Sequence, residues 1–165
     1  MTPTRRWTAG WLAIAAAALT LGGCMGPMPQ PMGSLNRQLE LAGGNRNPAL
    51  GDGWLAVIQQ RGGRDQVALI DLRAQRPVPL PGLNRADALP ISVSVDARGE
   101  RLALLRQLDG RSEVVLYRRN LQSLQVLPMG AGSLATAVNL RADGRQLAVQ
   151  VSRDGQWQVD LINLP

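Results

Sequence analysis

The 165-residue chain contains no histidine and no phenylalanine, one tyrosine and a single cysteine. It also contains no lysine, so all 18 of its basic residues are arginine. Each absence closes a class of chemistry. Without histidine there is no imidazole general base, no Ser-His-Asp triad and no histidine metal site. With one cysteine, Cys24, no disulfide can form within the chain, so packing has to hold the domain. Among the 12 acids, Asp109, Asp143 and Asp154 each precede a glycine, where a short carboxylate serves the turn. Asp71 and Asp160 lie within apolar runs and do not occupy equivalent places. Gly43-Gly44 and Gly62-Gly63 lack the following helix that a phosphate site needs. Neither an enzyme nor a bound cofactor or metal is expected.

What the chain does contain is one unit written three times. Leu102-Ala103-Leu104-Leu105 leads through Asp109-Gly110 to Val114-Val115-Leu116-Tyr117. Leu55-Ala56-Val57-Ile58 leads through Gly62-Gly63 to Val67-Ala68-Leu69-Ile70. Leu147-Ala148-Val149 leads through Asp154-Gly155 to Val159-Asp160-Leu161-Ile162. In each copy the glycine falls 8 residues, and the second run 12 residues, after the first leucine. Asp-Gly or Gly-Gly between two β-prone runs predicts a tight hairpin, because those residues accept positive φ. The copies lie 47 and 45 residues apart. A period near 45 with four short strands per unit is the pattern of β-propeller blades. Apolar residues at consecutive positions imply strands buried on both faces, as in sheets stacked on sheets. A β-sandwich with accidental spacing is the competing reading.

Residues 1–23 stand apart. Arg5 and Arg6 precede an apolar stretch, Trp11–Leu21, about half the ~20 residues that span a bilayer. This reads as a secretory signal peptide, helical in its apolar part. Leu21-Gly22-Gly23-Cys24 resembles the lipobox of bacterial lipoproteins. That resemblance implies cleavage before Cys24 and a thioether-linked diacylglycerol on it, with palmitate-type acyl chains holding the protein on a membrane. Met25 stands where an acidic residue would resemble an inner-membrane retention signal. The expected location is therefore the outer membrane, facing the periplasm. Residues 24–34, with three prolines and no charge, read as a tether of about 30 Å at ~3.1 Å per residue.

Residues 35–165 are then expected to form an all-β domain of three four-stranded antiparallel blades, a partial β-propeller. Blade one is predicted over residues 47–50, 54–58, 66–72 and 78–80. Blade two covers 91–96, 101–107, 113–118 and 123–127. Blade three covers 137–141, 146–152 and 156–163 and lacks a last strand. The alternation in Arg37-Gln38-Leu39-Glu40-Leu41 predicts a strand that completes it, in the same molecule or a neighbour. No helix is expected after the leader.

The turn Arg141-Ala142-Asp143-Gly144-Arg145-Gln146-Leu147-Ala148 resembles the S-P-D-G-x-x-L-A turn of TolB-type propeller repeats. Asp143-Gly144 match the turn pair and Leu147-Ala148 the strand start. Gly99 with Leu102-Ala103, and Leu55-Ala56, keep parts of it. The resemblance implies a periplasmic scaffold that contacts other envelope proteins.

Closed propellers have about four to eight blades, so a three-blade arc would expose apolar sheet at both ends. Two chains closing into a six-bladed ring, or docking on an envelope protein, would cover them. A distorted monomeric barrel-like sheet is the other architecture. One end of the blades collects Arg73, Arg76, Arg98, Arg101, Arg118, Arg119, Arg141 and Arg145. This basic rim suits anionic lipid, polysaccharide or an acidic partner. Nucleic acid is not expected of an exported protein. Trp54 and Trp157 occupy non-equivalent places and are expected to pack over strand edges or to anchor an interface. The expected function is protein binding from a lipid-anchored propeller-type domain. The other readings are a subunit of a larger envelope complex and a degenerate sugar- or ligand-binding propeller.

Overall fold

The computed structural model describes Gly26 and residues 28–165. The expected signal peptide with its expected helix, and Cys24, lie outside the described residues. Among the described residues, no helix is long and apolar enough to cross a membrane.

Among the described residues, one helix, α1 (Gly33–Leu41), is followed by eleven strands. They are β1 (Asn45–Gly51), β2 (Trp54–Arg61), β3 (Arg64–Asp71) and β4 (Arg76–Val78) in blade one. Blade two holds β5 (Ala88–Val95), β6 (Arg101–Leu108), β7 (Arg111–Arg118) and β8 (Ser123–Leu127). Blade three holds β9 (Leu134–Leu140), β10 (Gln146–Arg153) and β11 (Gln156–Asn163). Every pairing within a blade is antiparallel between neighbours in sequence.

The three repeated hairpins turn through two residues each, Gly62-Gly63, Asp109-Gly110 and Asp154-Gly155. All six residues have positive φ, from 50° at the aspartates to 77° at Gly155, which is the geometry that joins twisted strands tightly. The innermost strand of every blade carries a register shift against its neighbour, at Arg46/Ala49, Pro90/Ser92 and Gln150/Val151. The blades are therefore one design down to its irregularity.

The stacking follows from the consecutive apolar runs. In β2, Leu55 and Val57 face one way, and Ala56 and Ile58 face blade two. In β6, Leu102 and Leu104 face blade one, and Ala103 and Leu105 face blade three. Blade two is thus buried on both sides. Tyr117, fully buried between blades one and two, donates its hydroxyl to the Pro81 carbonyl at 2.8 Å. Burial pushes its phenol pKa upward. Two buried serines tie blade two to blade three: Val138 N–H donates to Ser92 Oγ at 3.3 Å and Leu140 N–H to Ser94 Oγ at 2.8 Å. Backbone groups of β9 that lack a ladder partner on that side are satisfied this way.

Two expectations are corrected. Arg37–Leu41 is not a strand completing blade three; it is the second half of α1. A helix therefore does follow the leader, and it begins at Gly33, inside the expected tether. The alternation there is real, but Leu35, Leu39 and Ala42 recur at helical spacing, and that period wins. Leu35 is buried against Leu55, Val57 and Ile70, with Leu39, Ala68 and Leu72 beside it, while Leu41 is left exposed. Ala42 N–H closes on the Gln38 carbonyl, and Gly43 at φ 104° ends the helix. Blade one's outer face, expected to lie open, is thus covered.

Candidate functional site

The predicted rim residues do share one end of the blades, but they divide into two kinds. Arg101, Arg119, Arg98 and Arg141 are committed. Arg101 donates to the Gly144 carbonyl at 2.9 Å, linking the turn of blade two to that of blade three. Arg119 donates to the Gly99 carbonyl at 2.7 Å and lies over the Trp54 ring, 4.9 Å from its centroid. Arg98 pairs with Glu100 at 3.3 Å, and Arg141 with Asp143 at 3.4 Å and with Gln146 at 2.9 Å. Both of those pairs are exposed and contribute little to stability. Arg73, Arg76, Arg118 and Arg145 make no side-chain hydrogen bond or ion pair among the described residues. Of these four, Arg73, Arg76 and Arg145 are exposed and Arg118 is half-buried. Asp71 takes backbone N–H groups of Ala74 at 3.0 Å and Arg73 at 2.9 Å, which hold its carboxyl below the usual range.

Behind the rim sits a lock that the sequence did not reveal. Trp54 enters blade two's turn and lies against Gly99, where a Cβ would fall 2.4 Å from the indole. Gly99 also has φ 64°, so a glycine is needed for both space and backbone. One blade on, a Cβ at Gly144 would fall 2.9 Å from the flexible Arg101 side chain. Asp96, fully buried, accepts from the Glu100 and Arg101 N–H groups at 2.8 and 3.2 Å and ties this turn together. The visible signal was Gly99 and Gly144, 45 residues apart; what fills the space beside them depends on packing alone.

At the opposite end some charges are paired, while Arg61, Arg64 and Arg111 are exposed and make no ion pair among the described residues. Arg106, 3% exposed, binds Glu113 through Nε at 2.6 Å. Arg46 pairs with Asp65 at 2.8 Å and also donates to the Pro90 carbonyl at 2.7 Å. Arg85 holds Asp87 at 2.6 Å and lowers that carboxyl to about 2. Asp160, a strand acid, pairs with Arg153 of the neighbouring strand β10. The innermost strands border a groove of about 560 Å³, lined by backbone and small side chains such as Ser92, Ser94 and Asn139. No cluster of three or more acids or cysteines is gathered among the described residues.

The third surface is the outer edge of blade three. Trp157, Val159 and Leu161 alternate along β11 and are 67%, 63% and 79% exposed. Trp157, opposite Ser152 of β10, is thus mostly exposed, whereas Trp54 is the centre of the lock.

The chain matches no protein-family model and no curated protein. Solved structures do match. TolB from Acinetobacter baumannii shares 16% identity with a TM-score of 0.55 over 70% of this chain and 29% of its own. The β-propeller domain of the Trilobed protease from Pyrococcus furiosus, described as an open velcro topology, shares 12% with a TM-score of 0.55, over 72% of this chain and 38% of that one. The fold is that of a TolB-like β-propeller. This chain supplies three of its blades, in less than half the length of either structure.

Proposed function

We propose that this chain is a lipid-anchored protein of the cell envelope, facing the periplasm, whose propeller blades bind other proteins rather than catalyse a reaction. The lipid half of the reading is supported by Leu21-Gly22-Gly23-Cys24 directly after an apolar leader. The binding half is supported by the TolB-like fold and by one observation above all. The stack is locked internally through Trp54, Arg101 and Arg119, yet at the same end Arg73, Arg76 and Arg145 are exposed and Arg118 half-buried, and none of the four is ion-paired among the described residues. Such an array offers charge to an acidic partner without asking the fold to change.

Two experiments test this. Mass spectrometry of the amino-terminal peptide should find Cys24 acylated, and Cys24→Ser should release the protein from the membrane fraction. Affinity capture from crosslinked cells should recover envelope proteins in fixed ratio. A variant with Arg76, Arg118 and Arg145 all changed to Ser should lose most of that capture. Unaltered capture would remove the rim from the reading. An unmodified Cys24 would remove the anchor.

A further inference from the structure

The three blades end in very different outer edges. That of blade one is β4, three residues long, containing Pro77 and followed by Pro79. That of blade two is β8, five residues followed by Pro128. Short strands and prolines blunt an edge against pairing. Blade three instead ends in β11, eight residues with no proline. Among the described residues, β11 pairs only with β10. Its single charge, Asp160, is answered by Arg153 within the blade.

The distribution of apolar residues on blade three says how this edge is used. On the outward face, β10 presents Ala148, Gln150 and Ser152 opposite Leu161, Val159 and Trp157 of β11. The middle strand is polar and the edge strand is apolar. A sheet that stacks on another blade is apolar across its middle, as blades one and two are. A sheet that accepts one more strand needs its apolar residues at the edge, where cross-strand pairs form.

We propose that β11 pairs with β11 of a second copy of this chain, antiparallel across a two-fold axis at Val159, joining two blades into one six-stranded sheet. The strand is self-complementary in that register. Val159 meets its own copy, and Trp157 meets Leu161 twice. On the other face Asp160 meets Gln158, so no like charges oppose each other. Arg153, which already bonds to both Asp160 and Gln158, stays beside the pair. A two-fold contact of this kind uses the same patch on both copies and closes after two. Growth in the other sense, or a ring of two chains sealed through both end blades, would have to displace α1 from Leu55, Val57 and Ile70. Edge pairing leaves α1 in place. It names a second copy as one partner of the binding module proposed above.

The test uses the full chain with Cys24→Ser, which removes both the anchor and the only native thiol. Light scattering should give twice the 17.7 kDa chain mass. Val159→Arg, at a position 63% exposed, should give the single-chain mass with an unchanged far-ultraviolet circular dichroism spectrum, because it sets two like charges opposite each other. Val159→Cys should form a disulfide-linked dimer on mild oxidation, and Ser123→Cys on β8 should not. The proposal is overturned by a single-chain mass for the parent, by a dimer that survives Val159→Arg, or by equal linkage at both cysteines. A single-chain protein that still captures envelope proteins overturns edge pairing and leaves the binding reading intact. A dimer that captures none does the reverse.

Discussion

Trp54 and Trp157 sit on the two end blades and meet opposite fates. Trp54 begins β2 and is held between Gly99 below and the Arg119 guanidinium above. Trp157 lies on β11 and is 67% exposed. The same contrast holds for whole faces. Blade one turns Leu55, Val57 and Ile70 outward and covers them with α1. Blade three turns Ala148, Gln150 and Ser152 outward and keeps its apolar residues for the last strand. A repeat cannot bury both faces at the end of a stack, and the two ends solve this differently. One end recruits a helix from before the repeats. The other makes its face polar and leaves an edge.

The contrast can be broken or sharpened at four points. The largest effect is expected at Gly99. Gly99→Ala puts a methyl into the Trp54 ring and strains the backbone, and should cost about 3 kcal/mol or more in urea unfolding. Gly144→Ala, at φ 71°, meets the flexible Arg101 side chain at 2.9 Å and buried Asp96 at 3.3 Å but no ring, and should cost less than Gly99→Ala. Equal losses would mean that Trp54 is not wedged there.

Next come the tryptophans themselves. Trp54→Ala should cost about 2–3 kcal/mol through lost packing and the lost Arg119 contact. Trp157→Ala should shift stability by about 0.5 kcal/mol or less when measured on the single-chain Val159→Arg background. A reversed order would exchange the roles assigned to the two ends.

Leu35→Ala should cost about 2 kcal/mol, from a buried leucine on a short helix. It should also raise binding of a hydrophobic dye, as α1 loosens from blade one. Dye binding that stays flat would mean α1 is not what keeps that face from water.

The smallest effect concerns Asp87. Its carboxyl is held down to about 2 by Arg85, against an ordinary 3.8. A depressed folded-state value adds stability above the unfolded value and loses it as pH falls through the folded one. The contribution is therefore complete above about pH 4 and gone near pH 2, and exposure keeps it small. Arg85→Ser should return the Asp87 titration, followed by NMR, toward 3.8 and leave the unfolding midpoint at pH 7 nearly unchanged.

Much of this architecture was legible in the residues. The three hairpins fell where Gly62-Gly63, Asp109-Gly110 and Asp154-Gly155 placed them, because a two-residue turn with positive φ permits few residue types. Consecutive apolar residues in β2 and β6 correctly announced burial on both faces. The same reading fails in blade three, whose polar outward face shows in Gln150 and Ser152 rather than in the apolar run. The helix was missed because Arg37–Leu41 carries two periods at once, and only the presence of Leu55 and Val57 decides between them. The rim positions followed from strand order, but not the split between locked and unpaired arginines. That split depends on which carbonyl or ring lies a few ångströms away, as Gly99 and Trp54 do for Arg119.

Among the described residues, blade two is the only layer with a blade against each of its faces. Amide hydrogens of β6 and β7 should consequently be the last to exchange with deuterium, and those of β11 among the first. A molecule graded in this way keeps a durable middle while its rims breathe. It can therefore trade contacts at an extremity without the centre registering the exchange.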